Sequence, residues 1–442
     1  MSSSSMNRRD FLATTSAAAL AASSVAAAPA SAADQPQPTK PVGQAKGINP
    51  GRVAWVHDPD VLNWKGPEDG RWYEGERLKQ DRVNTMMTRA VCALTGSAAP
   101  KDAWDRLFRH LNAARGKGDV GYKAGQKVLV KPNWVGLIHV EPNVNHEKCT
   151  LIRRENYMNT APQMLIALLG QLVEAGVKQS DITVSDTLAC LVNEYYAPLY
   201  KAFGQVRYEN HSDLPGRVVA KASDVPLYWS CRPEGKDKDF VPASFAEADY
   251  LVNFANLKAH RGAGVTLCAK NHYGSLIRTP PQKGYYDMHP ACFAKKTGIY
   301  RPLVDLLGHE HLGGKTVLNL IDGIFSGLHP TDLAPKRMKT FGDNWPCSLL
   351  ASQDPLAIDS VGLDFLQAEW TDYPHQLGVD DYLREAALAS EPPSSTFYDP
   401  NHDKPTRRLA SLGVHEHWNN PRDKKYSRNL GTGNGIELVA VK

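Results

Sequence analysis

The run Lys127-Val128-Leu129-Val130-Lys131-Pro132-Asn133, opened by Gly125-Gln126, decides the reading of the fold. Its apolar residues are contiguous and are bounded by a glycine turn on one side and Pro132 on the other, which reads as a strand buried on both faces. Thirty-odd residues on, Leu165, Leu168, Leu169 and Leu172 form a helical stripe, with Thr160 as the expected N-cap and Gly176 at the C-terminal end. Ile182–Ser185 is the next strand and ends at Asp186. Strand, helix and strand in that order predict a parallel crossover unit.

The pattern extends in both directions. Arg52–Val56 reads as a strand, and a helix from Asp81 places Val83, Met86, Met87, Ala90, Val91 and Leu94 on one face, with Gly96 closing it. Trp104, Leu107, Phe108 and Leu111 mark a second helix. Tyr250–Phe254, Thr316–Ile321 and Ser348–Ala351 are strands, and a helix runs from about Leu356 to Trp370. The expected class is α/β: a mainly parallel sheet flanked by helices on both faces, forming a single large domain with an irregular C-terminal extension.

The chain has 442 residues, with 51 Lys plus Arg against 47 Asp plus Glu. A formal net charge of +4 with no basic aromatic strip argues against a nucleic-acid partner. Residues 1–32 read as an export address. Arg8-Arg9-Asp10-Phe11-Leu12 precedes an Ala-rich run to Ala28, and Ala30-Ser31-Ala32 supplies small residues for cleavage before Ala33. This resembles a twin-arginine signal, which implies the twin-arginine export machinery as a partner and a periplasmic or secreted destination. The run is too poor in Leu, Ile and Val to span a bilayer well, so no stable membrane span is expected after the signal is removed. Residues 33–50 read as a flexible leader, 51–370 as the α/β domain, and 371–442 as a C-terminal extension packing on it. Seven widely spaced cysteines contain no C-x-x-C pair, so no iron–sulfur cluster is expected.

The candidate site follows from where polar residues fall. Ligands of open α/β sheets bind outside the carboxyl ends of the strands. Those ends carry Lys131 and Asn133, Asp186, Asn253 with Asn256, and Asp322. The densest polar stretch continues from there through Lys258, His260, Gly262, Gly264 and Thr266 to Lys270, Asn271, His272 and Gly274. Ammonium groups, amides and glycine-rich backbone suit an anion. His260 offers acid–base chemistry, with Lys258 and Lys270 beside it as catalytic candidates. Lys131, Asn133, Asn253, Asn256, Asn271 and His272 are the ligand-binding candidates.

Asp186, Asp322 and Asp359 are candidate ligands for a divalent metal ion. Asp359 falls inside an apolar helix, where a buried carboxylate needs a partner. Asp354, before Pro355, is better read as a helix cap. His415 and His417 have the spacing of a metal pair, though only if strand geometry puts them on one face. Asn434-Gly435 reads as a hairpin turn.

Five ordered segments carry a resemblance: Lys127–Asn133, Ala248–His260, Ala269–Gly274, Leu318–Gly323 and Ser352–Ser360. Together they resemble the signatures of the domain of unknown function 362 family, from about Arg52 to about Leu366. The resemblance implies an α/β domain with a site built from Lys258, His260, Lys270 and Asn271. Some relatives carry a ferredoxin-like cluster module, whose closely spaced cysteines this chain lacks.

Two functions fit these residues. One is an exported enzyme acting on or with a small anionic ligand, carboxylate or phosphate, in which His260 moves a proton and a metal assists. The other is a non-catalytic periplasmic binding protein for an anionic ligand or a metal ion. Buried carboxylates beside His260 favour the enzyme, and a basic pocket without them favours the binding protein.

Overall fold

In the computed structural model, residues 36–138, 143–232, 238–278, 285–330, 332–403 and 406–441 are described, and residues 37–442 form one unit. The expected export signal, 1–32, lies outside the described residues. A nine-stranded sheet organises that unit. Its strands are β1 (Arg52–His57), β2 (Val128–Lys131), β3 (Ile182–Ser185), β4 (Arg207–Asn210), β5 (Val218–Val219), β6 (Tyr250–Asn256), β7 (Thr316–Gly323), β8 (Ser348–Ser352) and β9 (Glu437–Val441). They lie in the order β9-β1-β8-β7-β6-β2-β3-β4-β5. β8 runs antiparallel to both neighbours, and every other pairing is parallel. The chain is thus an α/β protein with a mostly parallel sheet, as the strand–helix alternation predicts.

Side-chain alternation divides the core into two layers. Val128 and Val130 of β2, and Tyr250, Val252 and Phe254 of β6, face one layer with the helices Gln80–Thr95, Pro100–Ala114, Pro162–Glu174 and Asn193–Ala202. Leu129, Leu251 and Ala255 face the other, with Pro302–Gly308, Pro355–Glu369 and Asp381–Ala387. A sheet covered on both faces favours apolar residues along its central strands, which is why Val128–Val130 of β2 reads as an unbroken run and β6 is interrupted only by the candidate site residues Asn253 and Asn256. In Pro162–Glu174 the stripe Leu165, Leu168, Leu169 and Leu172 is wholly buried. Each of those leucines contributes roughly 1.5–3 kcal/mol of burial.

Three local expectations are corrected. Thr160 does not cap this helix: Ala161 holds the N-cap position without a side-chain bond, while the Thr160 hydroxyl accepts from Asn133 N–H at 2.7 Å and donates to the Phe254 carbonyl at 3.1 Å. The described part of the expected flexible leader is fastened down. Val42–Gly43 pairs with Val414–His415, and Lys46 N–H donates to Asp354 Oδ2 at 2.8 Å. Asn434-Gly435 forms no hairpin, because β9 pairs in parallel with β1 at the sheet edge. The C-terminal extension, largely irregular, thereby supplies a strand of the main sheet. Asp354 does cap Pro355–Glu369, accepting from Leu356 N–H and Ala357 N–H.

Candidate functional site

Register brings the strand ends together. Asn253 of β6 pairs with Lys131 of β2 and Asn319 of β7, and Asn256 pairs with Asp322. Beyond β6 the chain folds into a tight hairpin, Lys258–His260 against Gly264–Thr266, and then a one-turn helix, Cys268–Asn271. Gly264 is required in this hairpin: its φ is +83° and an added Cβ would lie 2.3 Å from Val379. These pieces enclose a crevice of about 40 Å³ at the carboxyl ends of β2 and β3. Six predicted residues border it: Lys131, Asn133, Asp186, His260, Lys270 and Asn271.

An amide chain forms the floor. Asn271 Oδ1 accepts from Lys131 at 3.2 Å and from Asn133 Nδ2 at 2.9 Å, while its Nδ2 donates to Asn253 Oδ1 at 2.7 Å. Asn253 Nδ2 in turn donates to the Cys268 carbonyl at 2.9 Å. Each amide is fixed in orientation by its neighbours, so the floor is preorganised.

The three lysines differ in how far their protons are committed. Lys131, fully buried, donates to Asp186 Oδ2 at 3.1 Å, to Asn271, and to the Pro132 carbonyl at 2.6 Å, which uses all three of its hydrogens. Lys258, also fully buried, donates to Asn133 Oδ1 at 2.8 Å and to the Met158 carbonyl. Burial pushes its pKa down to about 7, against the favourable field of Asp322 and Asp186. Lys270 is different. Among the described residues its ammonium has no hydrogen-bond acceptor and no carboxylate partner, and it faces the rings of Tyr273 at 5.1 Å and Phe293 at 6.0 Å. Desolvation lowers its pKa.

His260 is oriented as a donor. Gly262 N–H and Ala263 N–H both donate to its Nδ1, at 3.0 and 3.1 Å, so the neutral ring carries its proton on Nε2. Burial first, then Lys270 and His329, push its pKa down to about 2, so the imidazolium is disfavoured. No carboxylate hydrogen-bonds to it among the described residues. His272 is fully buried, with Nε2 at 3.3 Å from Asn253 Nδ2 and Nδ1 at 3.3 Å from Ser275 Oγ; burial pushes its pKa down to about 3. It braces the floor from behind and does not border the crevice.

The expected metal triad does not assemble. Asp186 accepts from Lys131 and from Trp134 N–H at 3.0 Å. Asp322 accepts from Ala161 N–H and Ile324 N–H, and burial pushes its pKa up to about 6. Asp359 accepts from Cys268 N–H at 2.7 Å, Ala269 N–H at 3.0 Å and Tyr382 O–H at 3.0 Å. Those bonds explain its place inside an apolar helix: it caps the one-turn helix of the site from outside. Asn256 also stands apart from the crevice; its Nδ2 lies 3.5 Å from the Asp322 carbonyl and its Oδ1 has no partner among the described residues.

Other groups at or beside the crevice carried weaker signals. Thr266 lies within the dense polar stretch, and its buried Oγ1 has no hydrogen-bond partner among the described residues. His329, whose ring centroid lies 4.9 Å from that of His260, comes from the loop after β7 and is brought there by topology alone. Gly274 has a steric reason: an added Cβ would lie 2.9 Å from both Asp186 Oδ1 and Lys131 Nζ.

A mostly parallel α/β sheet with a lysine- and amide-lined crevice at its strand ends defines the class. The sequence profile of the domain of unknown function family DUF362 matches residues 128–364, more than half of the chain, and the protein belongs to that family. The match spans β2 to the helix after β8 and so contains every element that borders the crevice. No curated protein matches the chain.

Proposed function

We propose that the crevice holds a small anion, a carboxylate or a phosphate, with Lys270 as its charge partner. The observation that carries this reading is the isolation of the Lys270 ammonium beside a preorganised polar floor. Lys131 is balanced by Asp186, and Lys258 has Asp322 and Asp186 in its field, which leaves Lys270 uncompensated. An unpaired charge in such a place is costly, and an anion offsets that cost. Thr266 Oγ1 and His260 Nε2–H supply further donors. Binding is favoured over His260-centred proton transfer, because the Nδ1 lone pair of His260 is already taken by two backbone amides.

A catalytic reading has one specific support. Lys258, with a pKa near 7, could exchange a proton near neutral pH, and it reaches the crevice wall through Asn133. Export by the twin-arginine pathway to the periplasm or beyond belongs to the same proposal, on the strength of Arg8-Arg9 and the Ala-rich run that follows. Mass spectrometry of small molecules released from protein purified out of its native host tests the binding reading. An anionic metabolite should be released from the native protein and be missing from Lys270→Met; equal release from both would remove Lys270 from the account.

A further inference from the structure

We propose a second, independent site: Asp380, His415 and His417 form a binding site for a divalent transition-metal ion of the zinc class. One Asp380 oxygen and the two imidazole nitrogens lie within 4.8 Å of one another. Both Nε2 atoms are 3.9 Å from Asp380 Oδ2, too far for a hydrogen bond and close enough to converge on an ion between them. Around a tetrahedral zinc with bonds of about 2.0–2.1 Å, ligand atoms stand about 3.3 Å apart, so the two 3.9 Å separations must shorten by about 0.6 Å and the widest, up to 4.8 Å, by more.

The second observation is the state of His415. The residue is 2% exposed, and its Nε2 has no hydrogen-bond partner among the described residues. Its Nδ1 lies 2.8 Å from Ser360 Oγ, whose single hydrogen is donated to the Leu356 carbonyl at 2.7 Å. With the Ser360 hydrogen placed on the Leu356 carbonyl, Nδ1 carries the ring proton and Nε2 turns its lone pair toward Asp380. A buried nitrogen lone pair facing a carboxylate is stabilised by a cation between them.

His417 is oriented in the same sense. Its Nδ1 lies 2.5 Å from Asp364 Oδ1, and Asp364 Oδ2 accepts from Trp418 N–H at 2.9 Å and Tyr426 O–H at 2.8 Å. A carboxylate behind the imidazole with Nε2 forward is the arrangement that orients histidines on metals. Arg384 Nε donates to Asp380 Oδ2 at 2.9 Å and must share that carboxylate with an entering ion. Three protein ligands leave a coordination position for water or another donor. The ligands come from the N-cap position of the helix Asp381–Ala387 and from the strand that pairs with Val42–Gly43 and the residues just after it, so the ion would tie two parts of the C-terminal extension to each other.

Calorimetric titration of the full metal-stripped chain with zinc chloride, with bound zinc counted after dialysis, tests this. One zinc per chain is expected, with a rise in Tm; His415→Gln should weaken binding at least a hundredfold, and Asp364→Asn roughly ten- to a hundredfold through orientation alone. Asp380→Asn, at a partly exposed position, provides the same comparison if His415→Gln fails to fold. The absence of stoichiometric zinc, or equal affinity in the native chain and in Asp380→Asn, would overturn the proposal in favour of a proton shared between His417 and Asp380.

Discussion

The ammonium of Lys258 donates to Asn133 Oδ1 over 2.8 Å, and the other end of the same amide donates to Asn271 over 2.9 Å. One side chain thus couples the buried lysine to the crevice floor. Asn133→Ala removes both bonds and leaves Lys258 with the Met158 carbonyl as its acceptor. A loss of about 1–3 kcal/mol is expected, since a buried donor is left unsatisfied. Urea unfolding measures it; a change within a few tenths would mean that the amide chain is not rigid.

Lys258 also predicts a pH dependence. Its folded pKa is about 7 against an ordinary 10.5, so between those values the unfolded chain holds more protons and stability rises with pH. Below about pH 7 both states are protonated and the burial penalty is fully present. Lys258→Met abolishes this contribution, so its stability advantage over the native chain should shrink from about pH 7 to about pH 10. A pH-independent difference in denaturant unfolding would show that Lys258 keeps its ordinary pKa.

Gly274→Ala forces a methyl group into the space between Asp186 and Lys131. The buried ion pair must open or shift, with an expected cost of about 1–3 kcal/mol. Anion binding should weaken as well, because Lys131 holds Asn271 in place. Unchanged stability and unchanged binding together would argue that the pair tolerates displacement.

Export is tested by replacing Arg8 and Arg9 with lysines in the full chain. The substituted chain should accumulate in the cytoplasm at its uncleaved mass, whereas the native chain should be processed before Ala33. Equal processing of both forms would exclude the twin-arginine route.

Most of the fold is legible in the sequence because strands covered on both faces are mainly apolar. Val128–Val130, Ile182–Val184 and Tyr250–Phe254 declare themselves in this way, with Thr183 and Asn253 the exceptions, and the helices Gln80–Thr95 and Pro162–Glu174 show their stripes. β4 and β5 carry no such run, being short and at the sheet edge, and β9 reaches its place only through a parallel pairing distant in sequence. The crevice was legible as a set of residues: strand-end geometry and the dense polar stretch together pick out Lys131, Asn133, Asp186, His260, Lys270 and Asn271. What each residue does was not legible. Whether Asp359 meets a metal or two backbone amides, and which nitrogen of His260 is free, depends on hydrogen-bond partners supplied by the tertiary fold.

Calorimetric titration of the native chain and of Lys270→Met with inorganic phosphate, and separately with acetate, tests the central claim most directly. At least one of these anions should bind the native chain, because the Lys270 ammonium has no carboxylate partner among the described residues and borders the crevice. Lys270→Met should weaken that binding at least about tenfold, or about 1.4 kcal/mol, with Tm nearly unchanged. If neither anion binds the native chain, or both chains bind with equal affinity, Lys270 is not the charge partner of an anion.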